Sequence, residues 1–198
     1  MTATSAGRRV GRLAAAVGAA AIMATGTLIA AAATPEVGAK APDFTLKGAD
    51  GSEVRLSTEV QRGPVILIMG RGWPGYQCPF CTRQFAEFRS HATELEAAGA
   101  RVLWVYPGPA ADLASHASDF VAGKDVPANF RILIDPGYVF TVAYGLRWDA
   151  PSETAYPATF VIDRSGIVRF ARVSRAHGGR TPVADVLTAL AALGKPRS

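Results

Sequence analysis

The two cysteines of the chain, Cys78 and Cys81, stand in a C-x-x-C pattern. Two thiols at this spacing can cycle between a dithiol and a disulfide, and a thiolate can attack either a disulfide or a peroxide. A zinc site needs about four ligands, and the sequence holds no second cysteine pair to complete one. An inert disulfide across so short a loop would restrict the unfolded chain little. The pair therefore favours redox chemistry over a metal site or a structural crosslink.

The residues around the pair predict a strand that gives way to a helix. The apolar run Val65–Met69 is typical of a buried strand, and Thr82–Ala98 carries apolar residues at the helical steps of three and four. Pro79 suits the first helical turn, because the N–H that proline lacks would be unpaired there anyway. Unpaired N–H groups and the positive end of the helix dipole favour a thiolate. We therefore expect at least one cysteine to ionise below the pKa of a free thiol.

The rest of the sequence alternates predicted strands with predicted helices, which indicates an α/β fold with a central mixed β-sheet flanked by helices. The runs 44–46 and 53–56 flank turn residues and predict an N-terminal β-hairpin. The runs 65–69 and 101–106 should be neighbouring parallel strands in the sheet centre, since both are apolar and a helix connects them. Further predictions are helices over 110–122, 138–144 and 183–193, a strand over 131–134, and a hairpin of 158–162 with 167–171.

Some of these predictions also place individual side chains. In the helix 138–144 we expect Val139, Val142 and Ala143 to face inward. In the last helix we expect Thr181 as the N-cap and Pro182 as the first helical residue.

The first 33 residues predict a signal peptide, with residues 34–198 as one domain. Arg8, Arg9 and Arg12 precede the uncharged apolar run Leu13–Ala33, whose last residues are small enough for a cleavage site before Thr34. An uncleaved membrane anchor is the alternative, because about 20 apolar residues can span a bilayer. Export to the periplasm, the cell envelope or the medium would place the thiols in an oxidising compartment, where a reductant must be supplied.

The net charge gives no sign of a nucleic-acid partner. The formal charge of the whole chain is +5, and the three arginines of the predicted signal peptide supply most of it. The domain that remains is close to neutral and has no cluster of lysine or arginine.

With these features the chain resembles the thioredoxin superfamily and, within it, the peroxiredoxin-like alkyl hydroperoxide reductase and thiol-specific antioxidant (AhpC/TSA) family. Three features carry the resemblance: the strand–C-x-x-C–helix unit, the segment Tyr156–Asp163, and the extra strand and helix between Arg101 and Ala122. The resemblance implies a thioredoxin-like fold and a thiol-dependent oxidoreductase that needs no bound cofactor and no metal.

Two family patterns assign the cysteines differently. Peroxiredoxins carry P-x-x-x-[T/S]-x-x-C, whose last residue attacks the peroxide. Pro74 and Cys81 fit this pattern, with Cys78 where threonine would stand, so Cys81 would become a sulfenic acid and Cys78 would resolve it. Thioredoxin-like reductases instead attack a protein disulfide with the first cysteine, here Cys78. Either reaction requires an external dithiol to restore the pair.

The same resemblance indicates supporting residues. Pro157 matches the cis-proline that faces the C-x-x-C in thioredoxins, with a trans proline at the start of a strand as the alternative. Typical peroxiredoxins place an arginine near that point to hold the peroxide and the thiolate, but none occurs between residues 149 and 163. Arg71, Arg83 and Arg147 are the candidates to replace it.

The three histidines, His91, His116 and His177, are predicted to be ordinary surface residues, on polar helix faces or in a loop. His177 lies in the glycine-rich loop 174–180 and could join two thiolates in a copper(I) site. A non-catalytic copper carrier, or a domain with a locked disulfide, is therefore a remote alternative to an enzyme.

Overall fold

A computed structural model of the protein describes residues 1–2 and 33–194. The predicted signal peptide lies almost entirely outside these residues. Among the helices described, none has both the length and the apolar character that a membrane span requires.

The described chain forms one seven-stranded mixed sheet with helices on both faces, in the strand order β2-β1-β5-β4-β3-β6-β7. The strands are β1 (Thr45–Gly48), β2 (Glu53–Arg55), β3 (Val65–Met69), β4 (Arg101–Gly108), β5 (Phe130–Pro136), β6 (Ala158–Ile162) and β7 (Val168–Val173). The helices are α1 (Leu56–Arg62), α2 (Pro79–Ser90), α3 (Ala92–Ala97), α4 (Leu113–Val121), α5 (Val139–Ala143) and α6 (Val183–Leu193). The predicted α/β architecture is confirmed.

The centre of the sheet is built from its most apolar strands. Strand β3 pairs in parallel with β4 and antiparallel with β6, as the sequence predicted for the first pair. Alternate residues of β3 face opposite layers: Ile66 and Ile68 pack in the core that includes α2, α4 and α6, whereas Val65, Leu67 and Met69 pack in the core that includes α1 and α5. Every residue of β3 is buried. The segment that follows β3 therefore starts from a rigidly held position in the centre of the sheet.

Both predicted hairpins are present. Strands β1 and β2 pair antiparallel at one edge, and β6 and β7 pair antiparallel at the other. The turn of the first hairpin uses Gly51 at φ +82°, a conformation in which glycine meets no steric penalty.

The single helix predicted over 82–98 is two helices, α2 and α3. The Ser90 hydroxyl donates to the carbonyl of Glu87 at 2.8 Å, and Nδ1 of His91 lies 3.0 Å from the same oxygen. That carbonyl would otherwise accept the N–H of His91, which instead donates to Phe88 at 3.2 Å. Side chains that compete for a helical carbonyl therefore break the helix at His91.

Helix α5 buries a different face from the predicted one. Phe140 and Thr141 are buried, whereas Val139 is 75% exposed and Val142 is 50% exposed. The carboxylate of buried Asp135 accepts the N–H groups of Phe140 at 2.9 Å and of Thr141 at 2.8 Å. These hydrogen bonds orient α5 so that Phe140 and Thr141 face the core. The apolar spacing alone therefore predicted the wrong buried face.

The N-cap predicted for α6 is also wrong. Val183 begins the helix after Pro182, and Thr181 makes no side-chain capping bond. The N–H of Val183 donates instead to Oε1 of Glu87 on α2, at 2.8 Å. A carboxylate from another helix therefore replaces the local cap.

Candidate active site

Cys78 and Cys81 lie where the chain from the buried strand β3 enters helix α2. Cys78 is the N-cap residue of α2, Pro79 occupies its first turn as predicted, and Cys81 follows within that turn. Both cysteines are free thiols, 1% and 2% exposed. The structure therefore presents a reduced pair that is shielded from solvent.

The segment between β3 and α2 is held tightly against the end of β4. Gly72 adopts φ +65°, and a Cβ atom there would lie 1.8 Å from the carbonyl oxygen of Pro107. The next residue, Trp73, donates its N–H to that same oxygen at 2.9 Å. This close approach fixes the backbone at Arg71, whose N–H donates to Sγ of Cys81 at 3.1 Å.

A second donor reaches Cys81 from the far end of the chain. Nη2 of Arg180 lies 3.1 Å from Sγ of Cys81. Gln84, one helical turn beyond Cys81, holds this arginine, since its Oε1 accepts from Nη1 of Arg180 at 3.1 Å. The amide nitrogen of Gln84 donates to the carbonyl of Thr181 at 3.2 Å, so one buried side chain fixes both residues.

The two thiols have opposite acid–base behaviour. The pKa of Cys78 is lowered to about 5, chiefly because the Cys81 thiol donates a hydrogen bond to it, with help from the backbone N–H of Cys81 and the charge of Arg180. The pKa of Cys81 is raised, first because the thiol is buried and second because of its hydrogen bond to Cys78. The pair ionises as a unit and carries one negative charge near neutral pH. A lowered thiol pKa at the helix start is what the sequence predicted.

The side chain of Arg71 faces away from the sulfur. Nε of Arg71 lies 3.1 Å from Oε2 of Glu153, and Nη2 donates to the carbonyl of Ser152 at 2.7 Å. Its Nη1 donates to the hydroxyl of Tyr76. The guanidinium thus ties the redox segment to the loop before β6, and only the backbone of Arg71 touches Cys81.

The other two candidate arginines also have contacts elsewhere. The guanidinium of Arg83 lies over the ring of Phe80, at 5.7 Å. Arg147 donates to backbone carbonyls of its own loop, among them that of Glu153 at 3.0 Å, and lies over the ring of Tyr138. The guanidinium in contact with the sulfur belongs instead to Arg180.

The predicted cis-proline is wrong, since every described peptide bond is trans. Pro157 lies immediately before β6, and its carbonyl accepts the N–H of Ser174 at 2.8 Å. The N–H of Tyr156 donates to the carbonyl of Leu146 at 2.9 Å. Backbone pairing on both sides therefore keeps the chain extended through Pro157, as for a proline that opens a strand.

His177 is not the ordinary surface residue that was predicted. Its Nε2 lies 3.0 Å from Oε1 of Glu153, and its ring stacks on Trp148 at 4.9 Å between centroids. His116 likewise stacks on Trp73, at 3.6 Å. Within residues 1–2 and 33–194 no three His, Cys, Asp or Glu side chains form a metal-binding group.

Sequence reasoning missed Gln84 and Arg180. Gln84 could have been found, because it lies three residues after Cys81 and therefore shares its helix face. Arg180 had no such local signal, because only the tertiary fold brings its loop to the start of α2.

Comparison with known proteins shows which proteins this chain is similar to. A family model described as AhpC/TSA matches residues 37–171. The chloroplastic peroxiredoxin Q of Oryza sativa subsp. japonica is 32% identical over 133 residues, which cover 67% of this chain and 57% of the rice protein. The match thus spans less than two thirds of that relative.

Two solved structures show the same fold. Peroxidoxin BcpB from Mycobacterium tuberculosis superposes with a TM-score of 0.64 at 22% identity, covering 81% of this chain and 99% of the other. A protein proposed to be the thiol:disulfide interchange protein DsbE of Chlorobium tepidum has a TM-score of 0.59 at 29% identity, covering 79% and 99%.

Proposed function

The chain belongs to the AhpC/TSA family, and from this we propose that it is a thiol-dependent peroxidase that reduces hydroperoxides through Cys78 and Cys81. The observation that carries the proposal is the environment of the Cys81 sulfur. It accepts hydrogen bonds from a backbone N–H and a guanidinium, both at 3.1 Å. Fixed donors at this point lower the free-energy cost of ionising the buried Cys81 thiol, and the thiolate is the form that attacks a peroxide.

Burial of both sulfurs favours a small oxidant. At 1% and 2% exposure, neither sulfur can meet a disulfide on another folded protein without a rearrangement of the chain around it. A hydroperoxide group is only two oxygen atoms and needs a far narrower approach. The reduced structure therefore suits a peroxide better than a protein disulfide.

The reaction we propose begins with a proton transfer within the pair. The Cys78 thiolate takes the proton of Cys81, and the Cys81 thiolate attacks the terminal oxygen of the hydroperoxide. The O–O bond breaks, Cys81 becomes a sulfenic acid, and the departing alkoxide takes the proton from Cys78 to leave as an alcohol. Cys78, again a thiolate, then attacks the sulfur of Cys81, so that the disulfide forms and hydroxide leaves. An external dithiol reduces the disulfide by exchange.

Two serine variants test this order. Cys81→Ser should abolish peroxide consumption, whereas Cys78→Ser should keep the first oxidation and accumulate a sulfenic acid that a dimedone-type reagent traps. Single-turnover oxidation of the wild type and both variants by hydrogen peroxide and an organic hydroperoxide provides the measurement. Wild-type oxidation no faster than that of free cysteine would contradict the proposal.

A thiol–disulfide oxidoreductase is the second candidate, with Cys78 as the nucleophile and Cys81 as the resolving cysteine. The lowered pKa of Cys78, about 5, favours it, because Cys78 is then already the thiolate and needs no proton transfer before it attacks. In that case the variants behave the other way round: Cys78→Ser is inactive, and Cys81→Ser accumulates mixed disulfides with its substrate. The same pair of variants therefore separates the two reactions.

We also propose that residues 1–33 direct export and are removed. The arginine-rich start, the apolar run and the small residues before Thr34 support this. Intact-mass measurement on protein from the native host tests it, since the proposal requires a chain that starts at Thr34. A mass that includes Met1 would support the membrane-anchor alternative.

A further inference from the structure

The two hydrogen-bond donors on Cys81 come from segments that are far apart in the chain. The N–H of Arg71 belongs to the redox segment after β3, and the guanidinium of Arg180 belongs to the loop that follows β7. A single carboxylate lies between the two segments. Oε2 of Glu153 pairs with Nε of Arg71 at 3.1 Å, and Oε1 pairs with Nε2 of His177 at 3.0 Å. Glu153 and His177 therefore tie the redox segment to the loop that carries Arg180.

His177 is held on three sides. Besides its contact with Glu153, its ring stacks on Trp148 at 4.9 Å and lies 6.4 Å from the ring of Phe80, with interplanar angles of 26° and 27°. Phe80 lies between the two cysteines in sequence. The imidazole thus packs on the redox motif itself as well as on the loop before β6.

Only Gly178 and Gly179 separate His177 from Arg180, so the position of the imidazole limits where the guanidinium can lie. A Cβ atom at Gly178 would lie 3.5 Å from the ring of Phe80, and one at Gly179 would lie 2.2 Å from Oγ of Ser174. The hydroxyl of Ser174 closes a tight turn by donating to the carbonyl of Ala176 at 2.7 Å. Because this connection is so short, we expect a displacement of the imidazole to move Arg180 as well.

We infer that His177 is a positioning residue, which through Glu153 and the short 177–180 segment holds the Arg180 guanidinium on the Cys81 sulfur. The effect of His177 on the rate of peroxide reduction rests on the proposed peroxidase activity. Its effect on the position of Arg180 does not depend on which substrate the protein has. The charge of Arg180 acts to lower the pKa of both thiols, although burial still leaves the pKa of Cys81 raised. Loss of its position therefore shows in the ionisation of the pair, whether or not peroxide is the substrate.

Two substitutions separate the contacts of the imidazole. His177→Gln keeps a donor for Glu153 and loses the ring, whereas His177→Phe keeps a ring for Trp148 and Phe80 and loses the donor. The first readout is the ultraviolet absorbance of the thiolate against pH in the reduced protein, which needs no reagent to reach the buried sulfurs. The second is the rate of oxidation by hydrogen peroxide. His91→Gln, at the break between α2 and α3, is the control for replacing a histidine elsewhere.

We expect His177→Phe to raise the midpoint of thiolate formation by roughly one pH unit and to slow oxidation roughly tenfold, as loss of a charge-assisted contact would. His177→Gln should stay within about twofold of the wild type, because Glu153 retains a hydrogen-bond donor. Arg180→Gln should give at least the loss of His177→Phe. The double variant should be no worse than Arg180→Gln alone, because His177 acts through that arginine.

Several results would overturn the inference. One is a midpoint of thiolate formation in His177→Phe that equals that of the wild type. Another is a double variant, His177→Phe with Arg180→Gln, in which the two losses of oxidation rate add. If circular dichroism shows that His177→Phe folds poorly, Glu153→Gln is the second variant, because it weakens the contact between residues 153 and 177 by changing the glutamate. It must also raise the midpoint of thiolate formation. A wild type that consumes no peroxide while the midpoints follow the expected order would remove the proposed function and leave the positioning role standing.

Discussion

Arg180 and Cys81 are 99 residues apart in the chain, and Nη2 of the arginine lies 3.1 Å from Sγ of the cysteine. The resemblance to peroxiredoxins implies such a guanidinium near Pro157, but the sequence has none there, and Arg71, Arg83 and Arg147 are the predicted replacements. The fold supplies it instead from the loop between β7 and α6. The positive charge at the sulfur therefore depends on a surface loop rather than on the sheet.

The first prediction concerns Arg180 itself. Arg180→Gln should slow oxidation of the reduced protein by about a hundredfold, because the Cys81 thiolate loses a charged donor and loss of one fixed donor at a reacting centre has an effect of that order. Arg180→Lys should fall between this variant and the wild type, because an ammonium keeps the charge but lacks the planar pair of nitrogens that reaches Gln84 and Cys81 separately. Stopped-flow tryptophan fluorescence during oxidation measures both rates. A rate for Arg180→Gln within about twofold of the wild type would exclude a role for this guanidinium.

The second prediction concerns pH. A thiol whose pKa is lowered on folding stabilises the folded state fully above its unfolded pKa, near 8.5, and loses that contribution as the pH falls through the folded value. For Cys78 the folded value is about 5, so the free energy of unfolding of the reduced protein should rise between about pH 5 and about pH 8. Above that range the raised pKa of Cys81 acts in the opposite direction. Urea unfolding across this pH range tests the prediction.

Cys78→Ser is the control for that experiment. It removes the thiol of lowered pKa, so its stability should change less with pH than that of the wild type between about pH 5 and about pH 8. An identical pH dependence in the two proteins would show that other groups cause it.

The third prediction concerns Gln84. Gln84→Met keeps the volume of the side chain but removes the acceptor for Arg180 and the donor for the Thr181 carbonyl. We expect a loss of about 1–3 kcal/mol in the free energy of unfolding, because buried polar groups lose their partners. Oxidation should slow as well, since Arg180 is then less well fixed. Normal oxidation in a destabilised variant would show that Gln84 supports the fold alone.

The fourth prediction concerns the redox segment. Gly72→Ala should destabilise the protein by several kcal/mol, on the order of 3, because alanine disfavours the left-handed backbone and its Cβ would meet the carbonyl of Pro107. Gly51→Ala is the matched control, since Gly51 has φ +82° but open space around a Cβ. It should lose only about 1 kcal/mol. Chemical denaturation of both variants gives the comparison, and equal losses would contradict the steric argument.

Features that depend on residues close together in the chain could be predicted from the sequence, whereas features that depend on contacts between distant residues could not. The strands β3 and β4 were predictable, because a strand buried on both faces is apolar along its whole length. The placement of Cys78 and Cys81 at a helix start was predictable from the residues beside them. The face of α5 was not, because the buried carboxylate of Asp135 decides it from outside the helix.

The candidate site divides in the same way. The positions of the two cysteines could be predicted from the C-x-x-C pattern. The residues that contact their sulfur atoms could not. Arg180 and His177 lie in a glycine-rich polar loop whose composition is typical of a solvated turn. Their roles depend on contacts with Gln84 and Glu153, which only the folded chain brings near, so no spacing along the sequence indicates them.

Strand β3 and the 174–180 loop should differ in their resistance to heat. The N–H of Arg71 is anchored beside a strand buried between β4 and β6, where amide hydrogens should exchange last. The guanidinium of Arg180 is carried by a surface loop that lies outside the strand ladder, where local opening takes less free energy. On warming, the sulfur should therefore lose its charged partner while the sheet is still intact. Activity should then decline reversibly several degrees below the melting temperature, and recover on cooling.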